Sequence, residues 1–156
     1  MTMRPEILYL VEVLERQLSL IRELASDLIA CRASYVAMDL DGIYQHVAVQ
    51  DALCEKLRQA AAQRSIAWQS AAAAMGLSSA GDAPGTWIAS LDPELAARLR
   101  RVLTELALTE GQVRHLNQVH LTVVEGSRRT LSVLANALAA FAPIYAPPAA
   151  TPLVRW

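Results

Sequence analysis

"AMDLDG", residues 37–42, is the stretch on which the fold turns. It sets two aspartates and a glycine between two long apolar-periodic runs. Asp39 or Asp41 can accept a hydrogen bond from the free N–H groups that open a helix. Upstream, Ile7, Leu14, Ile21, Leu28 and Tyr35 recur every seven residues, with Val11, Leu18 and Ala25 between them. That spacing is a coiled-coil-like seam, and it fails at Arg32. Pro5 and Glu6 suit its start, because the missing N–H costs nothing there and the acid complements the helix dipole. The pattern predicts a first helix over about 5–36. Downstream it predicts a second over about 40–75, with the stripe Ile43, Val47, Cys54, Leu57, Ala61, Trp68 and Ala72. "AAAAMGL" (71–77) ends it, with Gly76 placed for the left-handed residue after a helix. So short a connection between long amphipathic helices implies an antiparallel hairpin.

Residues 76–91, rich in Gly, Ser and Pro, read as a loop. Trp87 and Ile88 inside it are expected to fold back onto the hairpin as a hydrophobic latch. Asp92-Pro93-Glu94 then reads as an N-cap followed by proline at the first helical position. Nothing forbids a helix from there to about 142. At 1.5 Å per residue it would run about 75 Å, against ~45 Å for the first helix. It is therefore expected to kink near Gly111 or Gly126, or to run past the hairpin. The last stretch, "APIYAPPAATPLVRW" (142–156), holds four prolines, which forbid a helix; residues 143–156 are expected to be a flexible tail. The expected fold is all-α, an antiparallel long-helix hairpin with a long third helix in one domain over 1–142.

Composition agrees. The chain has 156 residues, 54% of them hydrophobic, with a formal net charge of −1 and a single Phe. One domain with an aliphatic core fits these values. Near-balanced charge supplies no basic field for phosphates, which disfavours nucleic acid as a partner. Cys31 and Cys54 form neither a C-x-x-C pair nor a zinc spacing and are expected to be buried, reduced thiols. Glu6, Glu12, Glu15 and Arg16 interrupt any leader-like apolar run, so a cytoplasmic location is expected.

The sequence carries no recognisable catalytic or metal-binding motif. Asp39-Leu40-Asp41-Gly42 resembles a calcium loop only in part, because the glycine is misplaced and Gln50 stands where a bidentate Glu is needed. His115 and His120 are five residues apart, about 140° around a helix, and cannot share a metal. His46 has no adjacent ligand set. No phosphate loop or nucleophile elbow is present. No enzyme activity, metal or cofactor is expected. Thr130 to Val154 carries no formal charge, but Ser132, Asn136 and the prolines interrupt it, and a spanning helix needs ~20 mostly apolar residues. Membrane contact is expected only indirectly.

The third helix changes character along its length. Leu95, Leu99, Val102 and Leu106 form a stripe expected to pack on the hairpin. Past Gly111 the stripe reads Val113, Leu116, His120, Val124, Ser127, Leu131 and Leu134, mixing polar and small residues with apolar ones. Gly126 costs a helix about 1 kcal/mol relative to Ala. A long, sparsely charged, apolar-striped helix of marginal stability suits pairing with another helix. Completion of a three-helix core explains the pattern equally well at this point.

"SYVAMDLDGIYQHVAVQDALCEKLRQ" (34–59), "MGL" (75–77), "HLNQVHLTVV" (115–124), "SRRTLSVLANAL" (127–138) and "PIYAPP" (143–148) occur in an order similar to that of the FlgN family of flagellar export chaperones. Asn117 matches the first Asn of the family's L-N-x-x-N signature, and His120 stands where the second is usual. The family's lysine in the second helix is displaced: Gln50-Asp51 stands there, with Lys56 further on. The resemblance implies a cytosolic chaperone that binds hook-associated proteins of the hook–filament junction. It would keep their terminal helices from assembling early and deliver them to the type III export apparatus. It also implies that the C-terminal part of the third helix engages the client. A client's amphipathic terminal helix would lie on Leu121, Val124, Leu131, Leu134 and Leu138, with Gly126 and Ser127 allowing close approach and Asn117 and His120 bonding polar groups or fixing register. The alternative is a coiled-coil adaptor that self-associates through the third helix, and a homo-oligomer is also possible for a chaperone without its client.

Overall fold

The computed structural model describes residues 4–77 and 87–141. Three helices account for most of them: α1 (Pro5–Val36), α2 (Leu40–Ala74) and α3 (Pro93–Phe141). Among the described residues there is no strand. The fold is all-α, and the helix limits fall within a residue of those read from the sequence. Loop residues 78–86 and the Pro-rich tail 142–156 lie outside the described residues.

The break between α1 and α2 is a compact double cap. Asp39 N–H donates to the Ser34 carbonyl at 2.9 Å, and Met38 N–H donates to that of Tyr35 at 3.2 Å. These two bonds close α1 in a Schellman turn, with Met38 left-handed at φ 55°. The Asp39 side chain then accepts from Gly42 N–H at 3.1 Å and opens α2. A Cβ on Gly42 would collide with the Asp39 carboxylate and reach 2.7 Å from Ser34 Oγ, so the turn needs glycine there. At the far end of α2, Gly76 takes φ 76°, with Gly76 N–H on the Ala73 carbonyl and Leu77 N–H on that of Ala72. Asp92 caps α3 by accepting from Glu94 N–H at 3.0 Å.

The chain divides into two units, Met1–Gln118 and Val119–Trp156. In the first, α1 is the central element. Its expected seam from Ile7 to Leu28 is buried, and a second row seven residues apart, Leu10, Gln17, Leu24 and Cys31, is buried beside it. Two adjacent rows give a face wide enough for two neighbours. The Arg4 guanidinium donates to the Ala74 carbonyl and lies 3.3 Å from Met75 Sδ. Asp27 bonds His46 and Gln50, so α1 and α2 are antiparallel. Arg98 grips Glu15 with two bonds of 2.8 and 2.6 Å, and Arg22 meets Glu105 at 2.5 Å. Both pairs span an offset of 83 residues, so α3 runs parallel to α1 here. Ala96, Leu99, Val102 and Leu106 are buried in the shared core, with Leu95 partly buried against it. The latch closes as the sequence suggests: Trp87 and Ile88 are buried in that core. Trp87 meets Trp68 edge to face at 5.6 Å.

Two expectations fail. The packed face of α2 is Leu53, Ala60, Ala67 and Ala71, with Ile43, His46, Gln50, Leu57 and Arg64 half-buried along the same seam. Val47, Cys54 and Ala61 are exposed. The helix is rotated by about one residue, roughly 100°, from the most apolar stripe. Asp27 on α1 satisfies His46 and Gln50, and that makes a seam carrying polar residues tolerable. Cys54 is accordingly exposed, and only Cys31 is buried.

Gln17 is 6% exposed, and among the described residues its Oε1 has no hydrogen-bond partner. An orphaned buried amide oxygen costs about 1–3 kcal/mol. Gln17→Leu is therefore expected to raise stability by about 1–3 kcal/mol, seen as a higher urea midpoint at unchanged slope. A lower midpoint would mean that the amide is bonded in solution. The Glu15–Arg98 pair responds to acid. Its hydrogen bond to Arg98 holds the Glu15 carboxyl below its ordinary value of 4.5. The pair's contribution is thus present above about pH 4.5 and lost as pH falls through the lowered folded value. Because both side chains are well exposed, Glu15→Gln is expected to cost under about 1 kcal/mol at pH 7 and to flatten that part of an acid titration of stability.

Candidate functional site

The second unit contains the C-terminal part of α3, described through Phe141. Helical bonding runs unbroken through Gly111 and Gly126. Every residue from 121 to 140 is exposed. Leu131 is 58% exposed, Leu134 54% and Leu138 69%, with Leu121 at 52% and Val124 at 37%. These are large apolar side chains in water, and they are not scattered. His120, Val124, Ser127, Leu131, Leu134 and Leu138 alternate by four and three, which places them on one face of the helix. Leu121 flanks that face.

The same four–three alternation holds further up α3. Ala96, Leu99, Leu103 and Leu106 keep the same heptad phase, and there Leu99 is 0% exposed and Leu106 2%. One seam thus has a covered stretch in the first unit and a bare stretch in the second. The sequence-derived site residues divide accordingly. Asn117 is exposed and belongs to the first unit, whereas His120 is half-buried and, like the others, belongs to the second. A Cβ on Gly126 would meet nothing within 4 Å, so among the described residues nothing uses the space that glycine leaves. Thr130 Oγ1 donates back to the Gly126 carbonyl at 3.1 Å. The only charged residues between 119 and 141 are Glu125, Arg128 and Arg129.

A second cluster, which the apolar periodicity hid, lies between α1 and α2. Asp27 Oδ1 is 2.7 Å from His46 Nδ1, and Gln50 Nε2 donates to Asp27 Oδ2 at 2.9 Å. Cys31, one turn along α1, completes it. Burial pushes the Cys31 thiol up, Gln50 opposes that by hydrogen bonding, and the Asp27 charge adds to the rise. Burial likewise raises Tyr35, with Cys31 adding to it. Burial favours the protonated thiol, which is the weaker nucleophile. The cluster's chemistry is that of a satisfied polar layer, which sets the register of a helix pair. The local signal was an i, i+4 pair on each helix, Asp27/Cys31 and His46/Gln50.

A cleft of about 780 Å³ lies at the end of the first unit, lined by Arg4, Ile7, Met75, Leu91, Asp92 and Arg98 among others. Three of its polar side chains are already engaged: Arg4 on the end of α2, Asp92 in its cap and Arg98 with Glu15. Among the described residues no group of three His, Cys, Asp or Glu is placed to hold a metal, and no helix is long and apolar enough to cross a membrane. The face on the second unit is therefore the best candidate site, and what it offers is apolar contact at helical spacing. No family model, curated protein or solved structure matches this chain.

Proposed function

We propose that this protein is a cytoplasmic export chaperone of the FlgN type, which binds the amphipathic terminal helices of hook-associated flagellar proteins. The observation that carries the reading is the bare seam: Leu131, Leu134 and Leu138 are each more than half exposed on one helix face. A helix laid in that seam would cover them and bury its own apolar stripe in return. The client's stripe, so covered, is unable to assemble early. Handing the client to the export apparatus then requires only that the seam release it. Sparse charge beside the seam leaves Asn117, His120 and the two arginines to set register and orientation.

Size-exclusion chromatography with light scattering, on the protein mixed with hook-associated subunits of the same organism, tests the reading. A discrete heterocomplex that is lost on deletion of residues 112–156 is the expected result. Absence of any complex with any such subunit sinks it, and a stable homo-oligomer in its place favours the coiled-coil adaptor.

A further inference from the structure

We infer that residues 40–52, the start of α2, open away from α1 as a unit of their own while the rest of the first unit stays folded, and that the Asp27 layer is the clasp that closes them. The opening bares Cys31. It uses the protein alone, so it stands or falls independently of the chaperone reading.

The anchoring of α2 is uneven along its length. From Leu53 onward apolar contact holds it: Leu53, Ala60, Ala67 and Ala71 are buried, and Leu57 and Trp68 pack against the core. Residues 40–52 include no buried side chain. Among the described residues, none of them belongs to either apolar cluster of the first unit. Their large apolar side chains face water instead, with Leu40 67% exposed, Tyr44 73%, Val47 40% and Val49 46%. Of the inward positions only Ile43 is apolar and large; the others are Gly42, His46 and Gln50, all half-buried. The facing part of α1 is looser as well: Leu24 and Leu28 are each 8% exposed, against 0% for Leu10 and Leu14. A stretch of helix with so few buried apolar contacts sits at the low end of local stability.

What ties this stretch to α1 is polar. His46 Nδ1 lies 2.7 Å from Asp27 Oδ1, and Gln50 Nε2 donates to Asp27 Oδ2 at 2.9 Å. The Asp27 and His46 side chains keep 14% and 23% of their surface in solvent. Water replaces these bonds as they break, so they oppose opening less than buried leucines would. The capping bonds of the turn, from Asp39 N–H to the Ser34 carbonyl and from Gly42 N–H to Asp39, are local to the turn and do not reach across the seam. Cys31 lies one turn beyond Asp27 on α1, is 0% exposed, and is hydrogen-bonded by Gln50. It is therefore covered by the clasp and reports its opening.

In a Cys54→Ser background Cys31 is the one thiol left. Its alkylation by N-ethylmaleimide is followed by intact mass at fixed pH, over urea concentrations below the unfolding midpoint. The reagent is kept dilute enough for the rate to scale with its concentration, and each variant's rate in high urea gives its intrinsic reactivity. The rate is expected to be nearly independent of urea, because a local opening exposes little surface, while Trp68 and Trp87 fluorescence stays native. Leu99→Ala weakens the core far from the clasp and is expected to leave the rate within about 2-fold, where passage through global unfolding would raise it about 100-fold or more. Asp27→Ala is expected to raise it at least about 10-fold, and His46→Ala about 5-fold. A rate that follows the full urea slope of global unfolding, or that climbs with Leu99→Ala, overturns the proposal, because Cys31 is then bared only when the whole unit unfolds. Rates unchanged by both Asp27→Ala and His46→Ala overturn it too, because the Asp27 layer is then not what holds the stretch closed.

Discussion

Leu99→Ala is expected to cost the first unit about 3 kcal/mol, while Leu134→Ala leaves its stability within about 0.5 kcal/mol. The two leucines lie on one helix and share one heptad position. Leu99 is 0% exposed, in a core with Trp87, Ile88 and Val102, and Leu134 is 54% exposed. Truncating Leu99 removes buried methyl groups and leaves a cavity that the surrounding α1 and α3 side chains close only in part. Truncating Leu134 removes atoms already in water, and alanine is the better helix former. Urea unfolding followed by tryptophan fluorescence checks this, because Trp68 and Trp87 report on the first unit. Equal losses for the two variants would mean that both halves of the seam are covered in solution and contribute equally to the folded core.

The second large effect is on binding. Leu131→Glu with Leu134→Glu is expected to weaken a hook-associated client by at least about 100-fold, below detection in an ordinary titration. Each leucine covered by a client helix is worth about 1.5–3 kcal/mol, and a carboxylate in its place must be desolvated against an apolar partner. Two such losses exceed the 2.7 kcal/mol or so that corresponds to 100-fold. Both positions are exposed, so the helical content and tryptophan signal of the free protein should stay as they are. Undiminished client binding by this folded variant would refute the proposed site.

The sequence and the structure agree wherever the controlling physics is local. Asp39 and Asp92 cap the helices that follow them because a carboxylate three or two residues before a free N–H can reach it. Gly76 ends α2 because that turn needs positive φ. The Trp87–Ile88 latch was legible because two bulky apolar residues between helices need cover. The placing of His120, Val124, Ser127, Leu131, Leu134 and Leu138 on one side of α3 follows from spacing alone, with Leu121 flanking them and Asn117 in the other unit.

What failed was rotation about an axis. Val47, Cys54 and Ala61 make the more apolar stripe of α2, yet the buried seam runs through Leu53, Ala60 and Ala67, with His46, Gln50 and Arg64 on it. Asp27 is 19 residues from His46 in the chain, and only the antiparallel hairpin brings them together. No count of apolar residues along α2 contains that contact.

The sequence by itself determined three helices, their limits, the break at 37–42 and the heptad phase of α3, because capping, φ preference and periodicity act within a few residues, whereas Trp87 and Ile88, read as loop, are helical. Tertiary structure alone decided which side of α2 is covered, that Cys54 is exposed, and that the seam of α3 is buried at Leu99 and bare at Leu134. Those outcomes depend on what lies across the interface, and a helical repeat specifies a face without specifying its neighbour.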